Sequence, residues 1–213
     1  MRRTALFISL LVALGSAPAH TQDAYDNGPS NGTTDAWSIN LGFVVSDSFN
    51  LPSWYTVDGV NFTAWLYPGD VLQTADVSIT SSEFGGTLYV SQTVSFTQSG
   101  CVSNQYGYSV CTESAWFNTA TLGPGTYWLN LQNAVVNTGD PVYWDENSGP
   151  SSASENSIGT IPSESFTVLG YQGCGSGQAS PACGPPPTTP EPATILLFAY
   201  GAVAMAGLLR WRT

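Results

Sequence analysis

The feature that most constrains this chain is an alternation of apolar and polar residues with a period of two. Ala75, Val77 and Ile79 alternate with Asp76, Ser78 and Thr80, and Trp37, Ile39, Leu41, Phe43 and Val45 alternate with Ser38, Asn40 and Gly42. Successive side chains of a strand point to opposite faces, so each run predicts a half-buried β-strand. Leu88, Val90, Val94 and Phe96 continue the pattern after Gly85-Gly86, and Tyr127, Leu129, Leu131 and Val135 repeat it after Gly123-Pro124-Gly125. Pro68-Gly69-Asp70 and the run from Asn137 to Pro141 supply further reversals. Between 25 and 170 no stretch keeps a 3.6-residue apolar period over helical length, and Gly, Ser, Thr and Asn are too frequent to favour one. The pattern predicts an all-β body, an antiparallel β-sandwich of jelly-roll-like type with eight to ten strands; an up-and-down barrel is the alternative. Trp37, Phe43 and Tyr127 are expected in its core.

Two apolar segments flank this body. Arg2 and Arg3 precede the run Ala5 to Leu14, and Ala17-Pro18-Ala19 places small residues where a signal peptidase reads. Residues 1–19 therefore read as a signal peptide cut after Ala19, which makes the protein an exported one. At the other end, Ala193 to Leu209 is a run of seventeen residues without charge, roughly 25 Å as a helix, at the short limit for a single transmembrane crossing. Gly201, Ala202, Ala204, Ala206 and Gly207 make one face of that helix small enough for close packing against another membrane helix. Arg210 and Arg212 follow at once and favour a cytoplasmic C-terminus. Pro190 and Pro192 restrict their own backbone and that of Thr189 and Glu191, so Pro-Glu-Pro is an extended strip just outside the membrane. The expected organisation is a signal peptide at 1–19, a β-sandwich ectodomain at 20–171, a Gly/Ser/Pro linker at 172–189 and a tail at 190–213 whose helix spans 193–209.

The order of Pro190, Glu191 and Pro192, then the apolar helix, then Arg210 and Arg212 resembles the PEP-CTERM sorting signal of Gram-negative bacteria that make extracellular polysaccharide. The resemblance implies an exosortase as membrane partner, with the tail recognised and removed and the protein released or transferred to the cell surface. Before processing it would be held by the helix at the inner membrane, outside the cytoplasm. The stretches 25–37, 125–134 and 141–170 resemble the ectodomains of uncharacterised secreted bacterial proteins that carry the same tail. That likeness implies a destination and no known activity.

Charge narrows the partners. The four basic residues are Arg2, Arg3, Arg210 and Arg212, so 20–189 holds no Lys or Arg against 14 acidic residues, the chain's 15 less Glu191. Such a surface repels nucleic acid, anionic lipid and phosphate ligands, and nucleic-acid binding is set aside. Bound Ca²⁺ would relieve the acidity, and no other cofactor is indicated. The segment 141–170 collects Asp145, Glu146, Asn147, Glu155 and Glu164 without regular ligand spacing. It reads as a solvated loop followed by a closing strand at Phe166 to Leu169, and no metal ligand is assigned. Four cysteines in an exported chain make two disulfides in one of three pairings. The sequential one, Cys101–Cys111 around VSNQYGYSV and Cys174–Cys183 within the linker, is best supported.

Catalysis lacks parts. His20 is the only histidine and would open the mature chain, which disfavours a Ser-His-Asp triad or a histidine zinc site. A carboxylate pair acting on a glycosidic bond is the remaining enzymatic route. Asp145 and Glu146 are adjacent and would point to opposite faces of a strand, so no catalytic residue is assigned and a non-enzymatic protein is expected. The main alternative is a carbohydrate-binding module that contacts exopolysaccharide through exposed aromatics. Trp128 shares a strand face with Asn130 and Gln132, and Trp144 stands beside Tyr143, Asp145 and Asn147. An indole among amides suits a pyranose ring, while packing within the sandwich is the competing role for Trp128.

Overall fold

The computed structural model describes residues 22–173. The expected signal peptide, the Cys174–Cys183 ring and the tail 190–213 lie outside them. Within them the chain is all β, as the alternation requires, and no helix is long and apolar enough to cross a membrane. In chain order the strands are β1 (Gln22–Asp26), β2 (Ala36–Ser38), β3 (Val44–Leu51), β4 (Tyr55–Leu66), β5 (Leu72–Ser82), β6 (Gly85–Ser95) and β7 (Thr97–Ser103). They continue as β8 (Ser109–Leu122), β9 (Gly125–Val136), β10 (Tyr143–Asp145), β11 (Ala153–Glu155), β12 (Gly159–Ile161) and β13 (Phe166–Gln172). Four of the thirteen have three residues, and the other nine fall in the expected range of eight to ten.

Two antiparallel sheets face each other. In the first, β8 pairs with β4 along its whole length and β7 lies outside β8. The other edge of β4 is divided between β13 and β10, with β1 beyond β13 and β2 beyond β10. The second sheet runs β12-β11-β3-β9-β5-β6. Val60, Phe62, Ala64 and Leu66 of β4 point inward to meet Ala75, Val77 and Ile79 of β5 and Leu129 and Leu131 of β9 in one core. At its centre Trp144 stands edge-on to Phe62 and Phe166, with ring centroids 5.9 and 5.6 Å apart. Offsets of this kind suit aromatic quadrupoles.

Three stretches depart from simple alternation. Residues 37–45 do not form one strand: Leu41 and Gly42 take φ of 56° and 96°, and Phe43 N donates to Asn40 O at 3.0 Å to close a turn. β2 joins the first sheet and β3 the second. Phe43 is consequently 39% exposed and Leu41 66%, so Phe43 is not a core residue, whereas Tyr127 is buried and Trp37 packs against the core. In β9, Asn133 adopts φ of 51°, and the register passes from Asp76↔Gln132 to Thr74↔Val135. This is a bulge with one extra residue, and it exchanges the faces beyond it. Ala134 and Val136 turn inward and Val135 is exposed. Tyr89 plays the same part in β6, between Ile79↔Val90 and Thr80↔Leu88, and turns Leu88 outward.

Candidate functional site

The inward set on β4 forces Gly59, Asn61, Thr63 and Trp65 to the outside of the first sheet. Cys111, Glu113, Ala115 and Phe117 turn inward on β8, so Thr112, Ser114 and Trp116 share that outside face. Register sets Thr63 opposite Thr112, Asn61 opposite Ser114 and Gly59 opposite Trp116, with Thr167 of β13 across from Asn61. Two confluent hollows of about 320 and 380 Å³, which share Ser30, Thr63 and Thr112, occupy this face. Their floor is Asn61, Thr63, Thr112, Ser165 and Thr167, and Asp26 is the one carboxylate among their lining residues.

Both walls are anchored. Asp145 accepts from Asn31 N at 2.7 Å and Gly32 N at 2.8 Å while Trp65 Nε1 donates to it at 2.6 Å, which fixes the segment 28–33. The disulfide Cys101–Cys111, expected from the sequence, ties the opposite wall of residues 100–105 to β8. Asn104 Nδ2 and Gln105 Nε2 donate across to Gly32 O at 3.1 Å and Thr33 O at 2.6 Å and join the two walls. Trp116 stands on the same face, two register steps along β8 from Thr112, and is 56% exposed. Its indole lies over Gly59, where a Cβ would sit 2.6 Å from Cε3, so only glycine lets the ring lie on the strand.

The residues singled out from sequence lie elsewhere. Trp128, Asn130 and Gln132 face outward from the second sheet, as alternation expects. Trp128 is half-buried, and Asn130 is buried with its amide donating to Thr80 Oγ1 at 2.9 Å. Gln132 lines a separate groove of about 520 Å³ over β5 and β6 together with Asp76, Ser78 and Thr93, and Trp128 is not among its lining residues. Trp144 corrects the expectation of an exposed aromatic. It is fully buried, its Nε1 donates to Ser165 O at 2.8 Å, and it has no face to offer a ligand. The sequence signal that could have found Trp116 is its place in the alternation Cys111, Glu113, Ala115, Phe117, a strand masked by the glutamate at an inward position.

The segment 141–165 is not a solvated loop. Asp145, Asn147, Glu155 and Glu164 are all buried, and β11 pairs with β3 to close the end of the sandwich. Asn27 organises the interior there, its Nδ2 donating to Ser151 Oγ and Ser163 Oγ at 2.7 Å and to Glu164 O at 2.6 Å. Asp47 accepts from Glu164 N at 2.7 Å and Ser151 Oγ at 2.9 Å, yet burial pushes its carboxyl up to about 7. The Glu164 carboxyl has no hydrogen-bond partner and is raised well above the usual range, by burial first and then by Asp47, Glu146, Asp145 and Asp35. Glu113, opposite Phe62 in the register and equally without a partner, is pushed by burial to about 8. Asp145 is also raised by burial, against the pull of its three donors. No Lys, Arg or His occurs between 22 and 173, so no side-chain cation neutralises these groups, and burial favours their protonated forms.

Among the described residues no three His, Cys, Asp or Glu side chains converge to hold a metal ion. Asp145 holds the 28–33 wall from beneath, and neither it nor Glu146 lines the hollows. No protein-family model matches the chain, and no curated protein matches it.

Proposed function

We propose that this is an exported, non-enzymatic protein of the cell surface or extracellular matrix, sorted by an exosortase through its PEP-CTERM tail. The observation that carries the proposal is the fixed order within 190–213 of Pro190-Glu191-Pro192, a seventeen-residue apolar run and the pair Arg210 and Arg212. The partners are a signal peptidase at Ala19, the membrane through helix 193–209 before processing, and the exosortase that reads the tail. Export is supported by the Cys101–Cys111 bond, which persists in an oxidising compartment. A role without catalysis is supported by the burial of Asp47, Asp145 and Glu164 away from the two hollows. Intact-mass measurement on native material is the test. The mature species is expected to lack residues 1–19 and the apolar span, and finding Trp211 on the surface-located form would refute the processing.

A further inference from the structure

We infer that the outer face of the first sheet is a binding site for a neutral polysaccharide, with Trp116 as the stacking platform and Asn61, Thr63, Thr112 and Thr167 as the hydrogen-bonding floor. The inference rests on the surface or matrix role just proposed and supplies its ligand.

Three observations on this face carry it. Trp116 is an indole held flat on one side by Gly59 and left open to water on the other, on a strand paired with β4 rather than on a loop. Covering that open face returns hydrophobic free energy without first having to order the ring. A pyranose ring has an apolar face of C–H groups that fits an aromatic plane and a rim of hydroxyls that needs partners. The hollows supply those partners along the same strands, since Thr112 lies four residues from Trp116 on β8, about 14 Å at strand rise. Their lining sets hydroxyl and amide groups among apolar side chains such as Val102, Val110 and Phe166, with Asp26 as its carboxylate, so it both donates and accepts without carrying a strong field.

Charge chooses the polymer. With 14 acidic and no basic residues between 22 and 173, a uronate- or sulfate-bearing chain is repelled and a neutral one is not. The floor is built from β4, β8 and β13, each paired on both edges where the floor residues lie. Its backbone groups are occupied, and a peptide has no free edge there to extend as an added strand. The walls are joined to each other and locked by Cys101–Cys111, so the groove exists before the ligand arrives.

The test is affinity electrophoresis of the full-length protein in detergent, in gels holding neutral polysaccharides (a β-glucan, a xylan, a galactomannan or dextran) or alginate as the anionic probe. At least one neutral polymer is expected to retard the protein, and alginate is not. Trp116→Ala should weaken retardation tenfold or more with an unchanged melting temperature, Trp116→Phe should keep part of it, and Trp128→Ala should leave it intact. A Thr63→Val, Thr112→Val pair gives an independent arm, with a several-fold loss expected. Retardation by none of the neutral polymers, equal retardation of Trp116→Ala and the parent, or preference for alginate would each overturn the inference. Loss in Trp128→Ala alone would also overturn it and move binding to the second sheet. None of these outcomes depends on whether the tail is cut, which intact mass decides separately.

Discussion

Two interiors coexist in this sandwich and are built on different terms. Between the sheets, Val60, Phe62, Val77, Ile79, Leu129 and Leu131 exclude water by simple apolar burial, and any of them needs only to be greasy and correctly shaped. Under the segment 141–165, Asn27, Asp47, Asp145, Ser163 and Glu164 are just as dry, yet each polar atom there requires a particular partner. Asp145 has three donors, whereas the Glu164 carboxyl has none. The lesson is that burial without cations is tolerable for acids only when backbone amides, indoles and protons do the neutralising.

Acidity is the lever with the largest expected effect on that contrast. Asp47, raised from 3.8 to about 7, and Glu113, raised from 4.5 to about 8, bind protons in the folded state that the unfolded chain has already lost. A raised acid contributes stability that is fully present below its unfolded value and is lost as pH climbs to the folded one. The fold should therefore be most stable near pH 4 and weaken up to about pH 8, with a slope of up to about 1.4 kcal/mol per pH unit for each such group. Urea midpoints at pH 4.5, 6 and 8 measure this, and Glu113→Gln should raise the midpoint at pH 8 while changing it little at pH 4.5. A maximum at neutral pH would mean that the polar interior is neutralised in another way.

Removing an acceptor sharpens the comparison next. Asp145→Ala leaves Trp65 Nε1, Asn31 N and Gly32 N without a partner under the 28–33 wall. The expected cost is roughly 2–4 kcal/mol, because stranded buried donors lose their full solvation. Faster proteolysis within 28–33 should accompany it, and an unchanged denaturation midpoint would show that the wall stands without its anchor.

The smallest effect belongs to the apolar interior. Val136→Ala should cost roughly 1–3 kcal/mol as an inward residue beyond the Asn133 bulge, while the adjacent Val135→Ala should change stability by no more than about 0.5 kcal/mol. Equal effects of the two would remove the bulge from the account.

Legibility follows the same division. Ala75, Val77 and Ile79 could be placed from sequence because their neighbours on the chain already encode which face is wet. Phe43, Leu88 and Val135 were misplaced wherever a turn or bulge inserts one residue and exchanges faces, a change that depends on the partner strand. Trp144 and Trp128 look alike as sequence, each an indole beside amides. Only the pairing of β10 against β4 drives Trp144 inward. Trp116 also has an amide two positions on, at Asn118, yet it acquires its open setting from Gly59, 57 positions earlier in the chain.

By itself the sequence determined the strand class, the cross-link at Cys101–Cys111 and a body without basic residues, because periodicity, spacing and charge are properties of near neighbours or of composition. Tertiary structure decided which acids are buried, which indole is open to water and where the grooves lie. Those depend on strand register and on contacts between residues more than a hundred positions apart, such as Asn27 with Ser163 and Gly32 with Asp145. No local pattern can carry that information, since burial is a property of what the rest of the chain places on top.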